Sequence, residues 1–283
     1  MGNLCCCIRR DVGRRKKSNL SPAKQPPHEV APNPFVFSPA TPYPMMMPPP
    51  PSIEYEKAAT IHNDVNLRKE TLRLQPDPNN PGQLLVSFSF DVTVPGRITI
   101  VFFAEEDSEF HLTATKKDTL PPITFDFEKG GLGQKYVQPS GTGIDFSVFE
   151  DSELFKEGET CIYPLAIKME AVHSEEVKSG SKQITQVTFV KEKSEIKPCV
   201  RKQFLWVNGS RYELQDIYGI GETVDIDAKE CVVCLSEPRD TIVLPCRHMC
   251  MCSECAKALR FQKNECPVCR QPAERLVELE GKQ

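Results

Sequence analysis

The sequence predicts a multidomain, mainly β chain: a disordered N-terminal region, an antiparallel β-sandwich-like domain in the middle and a small cysteine-rich module at the C-terminal end. Three observations predict it. Of the 30 positions from Pro22 to Pro51, 12 are proline, too many for a packed core. Between about residues 58 and 220, short runs of β-branched and aromatic residues alternate with polar ones and are separated by turn residues. Eight of the 13 cysteines lie between Cys231 and Cys269.

In chain order, residues 1–17 form a cysteine-rich, basic head. Once Met1 is removed, Met1-Gly-Asn-Leu-Cys-Cys-Cys presents Gly2 for N-myristoylation. The usual pattern asks for Ser or Thr at position 6, where this chain has Cys6. A single acyl chain binds membranes only marginally, so a second signal is required. Palmitoylation of Cys5, Cys6 and Cys7 would supply one, and the basic run Arg9, Arg10, Arg14, Arg15, Lys16 and Lys17 another. The alternative is a disordered basic tail.

Residues 18–57 read as a solvated proline-rich spacer, able to reach on the order of 100 Å when extended. Within it, Pro39-Ala-Thr-Pro42 fits a PxxP ligand, although such spacers contain the pattern by chance.

Residues 58–220 supply the sandwich. Leu84–Phe90, Arg97–Phe103, Phe110–Thr115, Ile162–Met169 and Gln183–Val190 have strand composition. Phe204–Tyr212 adds the Asn208-Gly209 hairpin signal. Six or seven strands with few helical stretches suggest two packed antiparallel sheets. Gly130–Gly133 and Gly141–Gly143 lack the G-x4-G-K pattern of a phosphate loop and read as turns. His111 and His173 read as ordinary strand residues, and Cys161 as a small buried hydrophobe.

The net charge of −4 and pI near 5.8 argue against nucleic acid as the main partner. No stretch approaches the roughly 18 apolar residues of a membrane span, and no secretory signal is visible. Clustered cysteines are therefore expected in the reducing cytosol, where they bind metal more often than they pair. The sequons at Asn19 and Asn208 would go unused there.

Residues 221–283 hold the chemistry. The order is Cys231-x2-Cys234-x11-Cys246-x-His248-x3-Cys252-x2-Cys255-x10-Cys266-x2-Cys269. Zinc takes four tetrahedral nitrogen or sulfur donors, and a C-x2-C turn gives two of them to one ion. Four half-sites thus make two closed structural sites for two Zn2+, and metal binding supplies folding energy that so small a segment lacks.

This spacing resembles the RING family, whose ligands interleave in a cross-brace. The resemblance implies that Cys231, Cys234, Cys252 and Cys255 hold one zinc, and Cys246, His248, Cys266 and Cys269 the other. Cys250 could replace Cys252, but four residues would then separate it from Cys255 where the family has two. The family's surface for a ubiquitin-charged conjugating enzyme maps onto Val233, Leu259 and Pro267. Arg270 falls where the family often bridges conjugating enzyme and ubiquitin. Leu259 stands where the family commonly has tryptophan, so that contact is expected to be weaker or displaced. Packing of a tiny domain is the competing explanation for the three apolar residues.

The resemblance implies a RING-type ubiquitin ligase that works by positioning a thioester rather than through a covalent ubiquitin intermediate. A zinc adaptor without ligase activity is the alternative. With the RING placed, Val65–Leu74, Tyr136–Ser147 and Leu205–Gly219 resemble the mahogunin-type ubiquitin ligases. Their plant LUL branch has a glycine head, as this chain does, and is expected to be myristoylated. That resemblance implies a substrate-recruiting middle domain, plausibly directed at a membrane protein, and a position on the cytosolic face of the plasma membrane or endomembranes. Leu276, Val277 and Leu279 are expected either to form a strand for self-association or to cap the RING.

Overall fold

The computed structural model describes residues 7–8, 53–155, 161–172, 180–193, 195–219, 230–261 and 264–280. The strands are β1 (Cys7–Ile8), β2 (Glu54–Ala58), β3 (Val65–Pro76), β4 (Leu84–Val92), β5 (Gly96–Glu106), β6 (Leu112–Ala114), β7 (Ile123–Phe127) and β8 (Gly131–Val137). After a short helix, α1 (Asp151–Leu154), come β9 (Ile162–Ala171), β10 (Lys182–Glu192), β11 (Glu195–Val207) and β12 (Ser210–Leu214). The C-terminal module holds β13 (Thr241–Leu244), β14 (His248–Met251), α2 (Ser253–Leu259) and β15 (Arg275–Leu279).

The middle region is the predicted sandwich. One sheet runs β1-β12-β11-β10-β9-β5-β6, with β7 also paired to β5, and the other runs β3-β4-β8. Their facing sides share one core. Val86, Phe88 and Phe90 of β4 meet Ile98, Ile100 and Phe102 of β5 and Leu165, Ile167 and Met169 of β9, at alternate positions along each strand. Polar groups that cross this core are satisfied: the Gln183 amide oxygen accepts the Leu67 N–H at 2.8 Å. The Asn208-Gly209 turn joins β11 and β12 with φ of +50° and +73°, as a tight hairpin requires.

Several expectations are corrected. The spacer assigned to residues 18–57 gives way to structure at its C-terminal end, because Glu54–Ala58 is a strand of the C-terminal module. Gly131 and Gly133 are not a turn but open the edge strand β8, where the register shifts and the Gly133 N–H meets Asp91 Oδ1 at 2.7 Å. His111 lies before β6, in a loop with Asp107, rather than in a strand. Cys161 is exposed, because the buried run of β9 begins only at Pro164. Gly2, Cys5, Cys6, Pro39, Pro42, Asn19 and His173 lie outside the described residues. Among the described residues, no helix is long and apolar enough to cross a membrane.

The C-terminal sheet runs β14-β13-β15-β2. Both edges of β15 are taken, antiparallel by β13 and parallel by β2. Leu276 and Val277 are buried and Leu279 packs beside Val277, so these residues cap their own module. A second tie links the module to the sandwich: the Tyr218 N–H donates to the Arg247 carbonyl (2.9 Å) and the Met249 N–H to the Tyr218 carbonyl (2.8 Å). Lys69 of β3 pairs with Asp216, which holds the segment between β12 and Tyr218 on the sandwich.

Candidate functional site

The two C-x2-C turns at either end of the module are built alike. The Leu235 N–H donates to the Cys231 carbonyl and the Arg270 N–H to the Cys266 carbonyl, both at 2.9 Å. Leu235 and Arg270 each adopt positive φ (+55° and +60°) to close their turn. A non-glycine residue held there costs about 1–2 kcal/mol, so something else must hold these turns shut. Opposite them, β14 presents His248 and the N-terminal end of α2 presents Cys252 and Cys255.

These elements gather the donors into two groups. Cys231, Cys234, Cys252 and Cys255 form one; Cys246, His248, Cys266 and Cys269 form the other, with the donor atoms of each group within 4.8 Å of one another. A zinc tetrahedron with bonds of about 2.3 Å has ligand–ligand edges of about 3.8 Å. Cys234 Sγ lies 3.9 Å from Cys252 Sγ, and Cys266 Sγ 3.8 Å from His248 Nδ1. The residues therefore fit two structural Zn2+ ions in the interleaved arrangement that the RING resemblance implied. Cys250 belongs to neither group and is buried in the core of the module.

The electrostatics agree with metal ligation. Burial pushes the Cys246 thiol up to about 12, and neighbouring cysteines add to the shift. Burial and the neighbouring cysteines raise the Cys255 thiol as well. Cys231 is also desolvated, yet backbone N–H groups of Cys234, Cys252 and Val233 bring it down to about 7. Four clustered sulfurs cannot all ionise without a counter-charge, and a divalent cation provides it.

Around the two groups lies an exposed apolar surface. Val233 is 52 % exposed, and Pro267 and Arg270 are exposed beside the second group. Leu259 is half-buried and packs into the core of the module, so its contact is partly internal. Sequence reasoning missed Leu235 (68 % exposed), Val268 (52 %) and Phe261 (78 %). Val268 was legible: it precedes Cys269 as Val233 precedes Cys234. Phe261, two residues past α2, had no such signal.

Comparison with known proteins agrees with this geometry. Residues 65–214 match the RNF157-like N-terminal domain, and residues 227–276 match the C3HC4-type zinc finger, or RING finger. The probable E3 ubiquitin-protein ligase LUL1 of Arabidopsis thaliana is 54 % identical, over 99 % of this chain and 99 % of its own length. The probable ligase LOG2 of the same plant is 64 % identical over 83 % of this chain and 65 % of its own. The human E3 ubiquitin-protein ligase MGRN1 is 31 % identical over 87 % of this chain and 48 % of its own. No solved structure matches the chain. The sandwich, the two interleaved zinc sites and these relatives together make the chain a member of the mahogunin-type RING ubiquitin ligases, in their LUL branch.

Proposed function

We propose that this RING ubiquitin ligase works tethered to the cytosolic face of a membrane and activates a charged conjugating enzyme for direct transfer to a recruited protein substrate. The observation that carries the ligase reading is the apolar surface of Val233, Leu235, Pro267 and Val268 on turns that zinc locks. Val233, Pro267 and the exposed part of Leu259 would dock the conjugating enzyme. Arg270, held outward at positive φ, would bridge it to ubiquitin.

The chemistry then asks little of this chain. A substrate lysine amine attacks the thioester carbonyl, an amide bond forms and the thiol of the conjugating enzyme leaves. The RING restricts the thioester to reactive geometries, which is worth several kcal/mol when the reacting groups are well oriented. The eight Cys and His donors would hold two zinc ions that clamp the docking turns, and closed sites would leave those side chains no part in ubiquitin relay. The sandwich would recruit the substrate, a membrane protein. Acylation of Gly2, with Cys5–Cys7 or the basic run as second signal, would supply the tether. Self-association would have to avoid β15, whose edges are both occupied.

Discharge of ubiquitin from a charged conjugating enzyme tests the ligase reading. The wild-type chain should accelerate discharge to free lysine, Val233→Ala should lose most of that acceleration, and Cys231→Ala all of it. A wild-type chain with two bound zinc ions and no effect on discharge would leave the zinc-adaptor reading standing.

A further inference from the structure

The RING fold of this chain is completed from outside the two matched regions. Ile53 is only 2 % exposed and sits in the module's core with Cys231, Cys252, Ala256 and Leu276. Behind it, β2 pairs in parallel with β15 over five residues, from Glu54 beside Arg275 to Ala58 beside Leu279. The ends of this pairing are fastened by the Glu54 N–H on the Glu274 carbonyl (3.3 Å) and the Glu280 N–H on the Ala58 carbonyl (3.1 Å). Arg275 pairs with Glu54 (3.1 Å) and Glu56 (3.4 Å), and the Tyr55 hydroxyl donates to Glu278. Burial first, and the Glu278 carboxylate second, push that hydroxyl far above the ordinary phenol range, so it remains a donor.

One residue connects this strap to the conjugating-enzyme surface. Arg260, the C-cap of α2, donates from Nε to the Ile53 carbonyl at 2.9 Å. Its guanidinium lies 5.7 Å from the centre of the Tyr55 ring and 5.9 Å from that of Phe261. Leu259 precedes Arg260 directly, and exposed Phe261 follows it. Without the strap, the final turn of a seven-residue helix would end on an unanchored arginine.

We propose that Ile53, Tyr55 and Arg260 form a positioning clamp that fixes the last turn of α2 for conjugating-enzyme docking, so that the segment directly after the proline-rich spacer sets the affinity of the RING. The inference rests on the ligase reading above. Arg260 loses its acceptor and one of its two aromatic neighbours, Tyr55, if β2 leaves β15. A hydrogen bond to a charged group and a cation–π stack are each strong enough, when partly buried, to decide the pose of one helical turn.

The test uses the full chain and single-turnover discharge of a charged conjugating enzyme, titrated with ligase. Arg260→Ala and Tyr55→Ala should each raise the half-saturating ligase concentration roughly five- to tenfold, with the saturating rate within about twofold of wild type. Tyr55→Phe keeps the ring under the guanidinium and should recover most of what Tyr55→Ala loses. Zinc content, measured in the same preparations, should stay at two per chain. Unchanged half-saturation in both alanine variants overturns the clamp. So does a loss confined to the saturating rate, or one that tracks loss of zinc, since either makes the strap a merely structural part. An inactive wild-type chain with full zinc removes the ligase reading itself, and the clamp with it.

Discussion

At the residue scale, buried polar side chains in the sandwich test whether its two sheets are matched specifically or merely stacked. Gln183 of β10 is fully buried and reaches the other sheet, where its oxygen takes the Leu67 N–H. Gln203 of β11 reaches the same residue from its other side, donating from Nε2 to the Leu67 carbonyl at 3.3 Å and to Thr185 Oγ1 at 3.1 Å. Replacing Gln183 with Leu fills similar volume but leaves a buried donor without an acceptor, which costs about 1–3 kcal/mol. Gln183→Leu should therefore lower the unfolding free energy by that amount, seen as a lower urea midpoint at an unchanged slope. Trp206, the single tryptophan, packs on Phe110 and reports the transition. Arg270 is the contrasting case, because its side chain is exposed and its backbone already turns at +60°. Arg270→Ala should leave zinc content and stability near wild type while slowing ubiquitin discharge severalfold, the mark of a residue that acts on the transfer rather than on the fold.

At the element scale, legibility in the sequence depended on whether an element carries its own signal. The ligand positions did, because a C-x2-C turn is a local device with fixed spacing. Strands β4, β5, β9 and β10 did as well, since their β-branched and aromatic residues face a shared core. The strap β2 did not. Glu54-Tyr-Glu-Lys-Ala58 has no apolar run, and its parallel partner lies more than 200 residues away along the chain. Edge strand β8 was hidden by its glycines, which pattern reading assigns to turns. The separate cores of sandwich and RING lead to a further expectation. Three of the ten buried residues in the RING core, Cys231, Cys252 and Cys266, belong to the two donor groups, so the module is expected to draw folding energy from metal. A strong chelator should release two zinc ions per chain and open trypsin cleavage after Lys57, as β2 loses its partner. Trp206 emission should meanwhile stay native. A concerted loss of both signals would mean that the Tyr218 and Lys69 ties bind the two units into a single cooperative one.

At the scale of the whole molecule, the strap changes what a membrane anchor at the head would do. The proline-rich segment ends at a residue buried in the RING core, not at the edge of the sandwich. Because β1 (Cys7–Ile8) pairs with β12, a lipid on Gly2 would hold the edge of the sandwich at the membrane, and the chain that follows re-enters the fold at Ile53 in the RING core. A myristoyl group alone holds a protein on a bilayer only marginally, and each nearby Lys or Arg adds about 1 kcal/mol on an anionic surface. Six basic residues follow the cysteines between Arg9 and Lys17, with Asp11 opposing them. Gly2→Ala should therefore shift the chain from the membrane pellet to the soluble fraction. Neutralising Arg14, Arg15, Lys16 and Lys17 should give a partial shift that narrows as salt is raised, because screening removes the same contribution from the wild type. Discharge to free lysine in solution should be the same for the Gly2→Ala variant and wild type, because the acyl group takes no part in the transfer step. Ubiquitination of a membrane-bound substrate should fall with the bound fraction. If Gly2→Ala leaves the pellet fraction unchanged, the lipid anchor is wrong, and the head is only a basic tail.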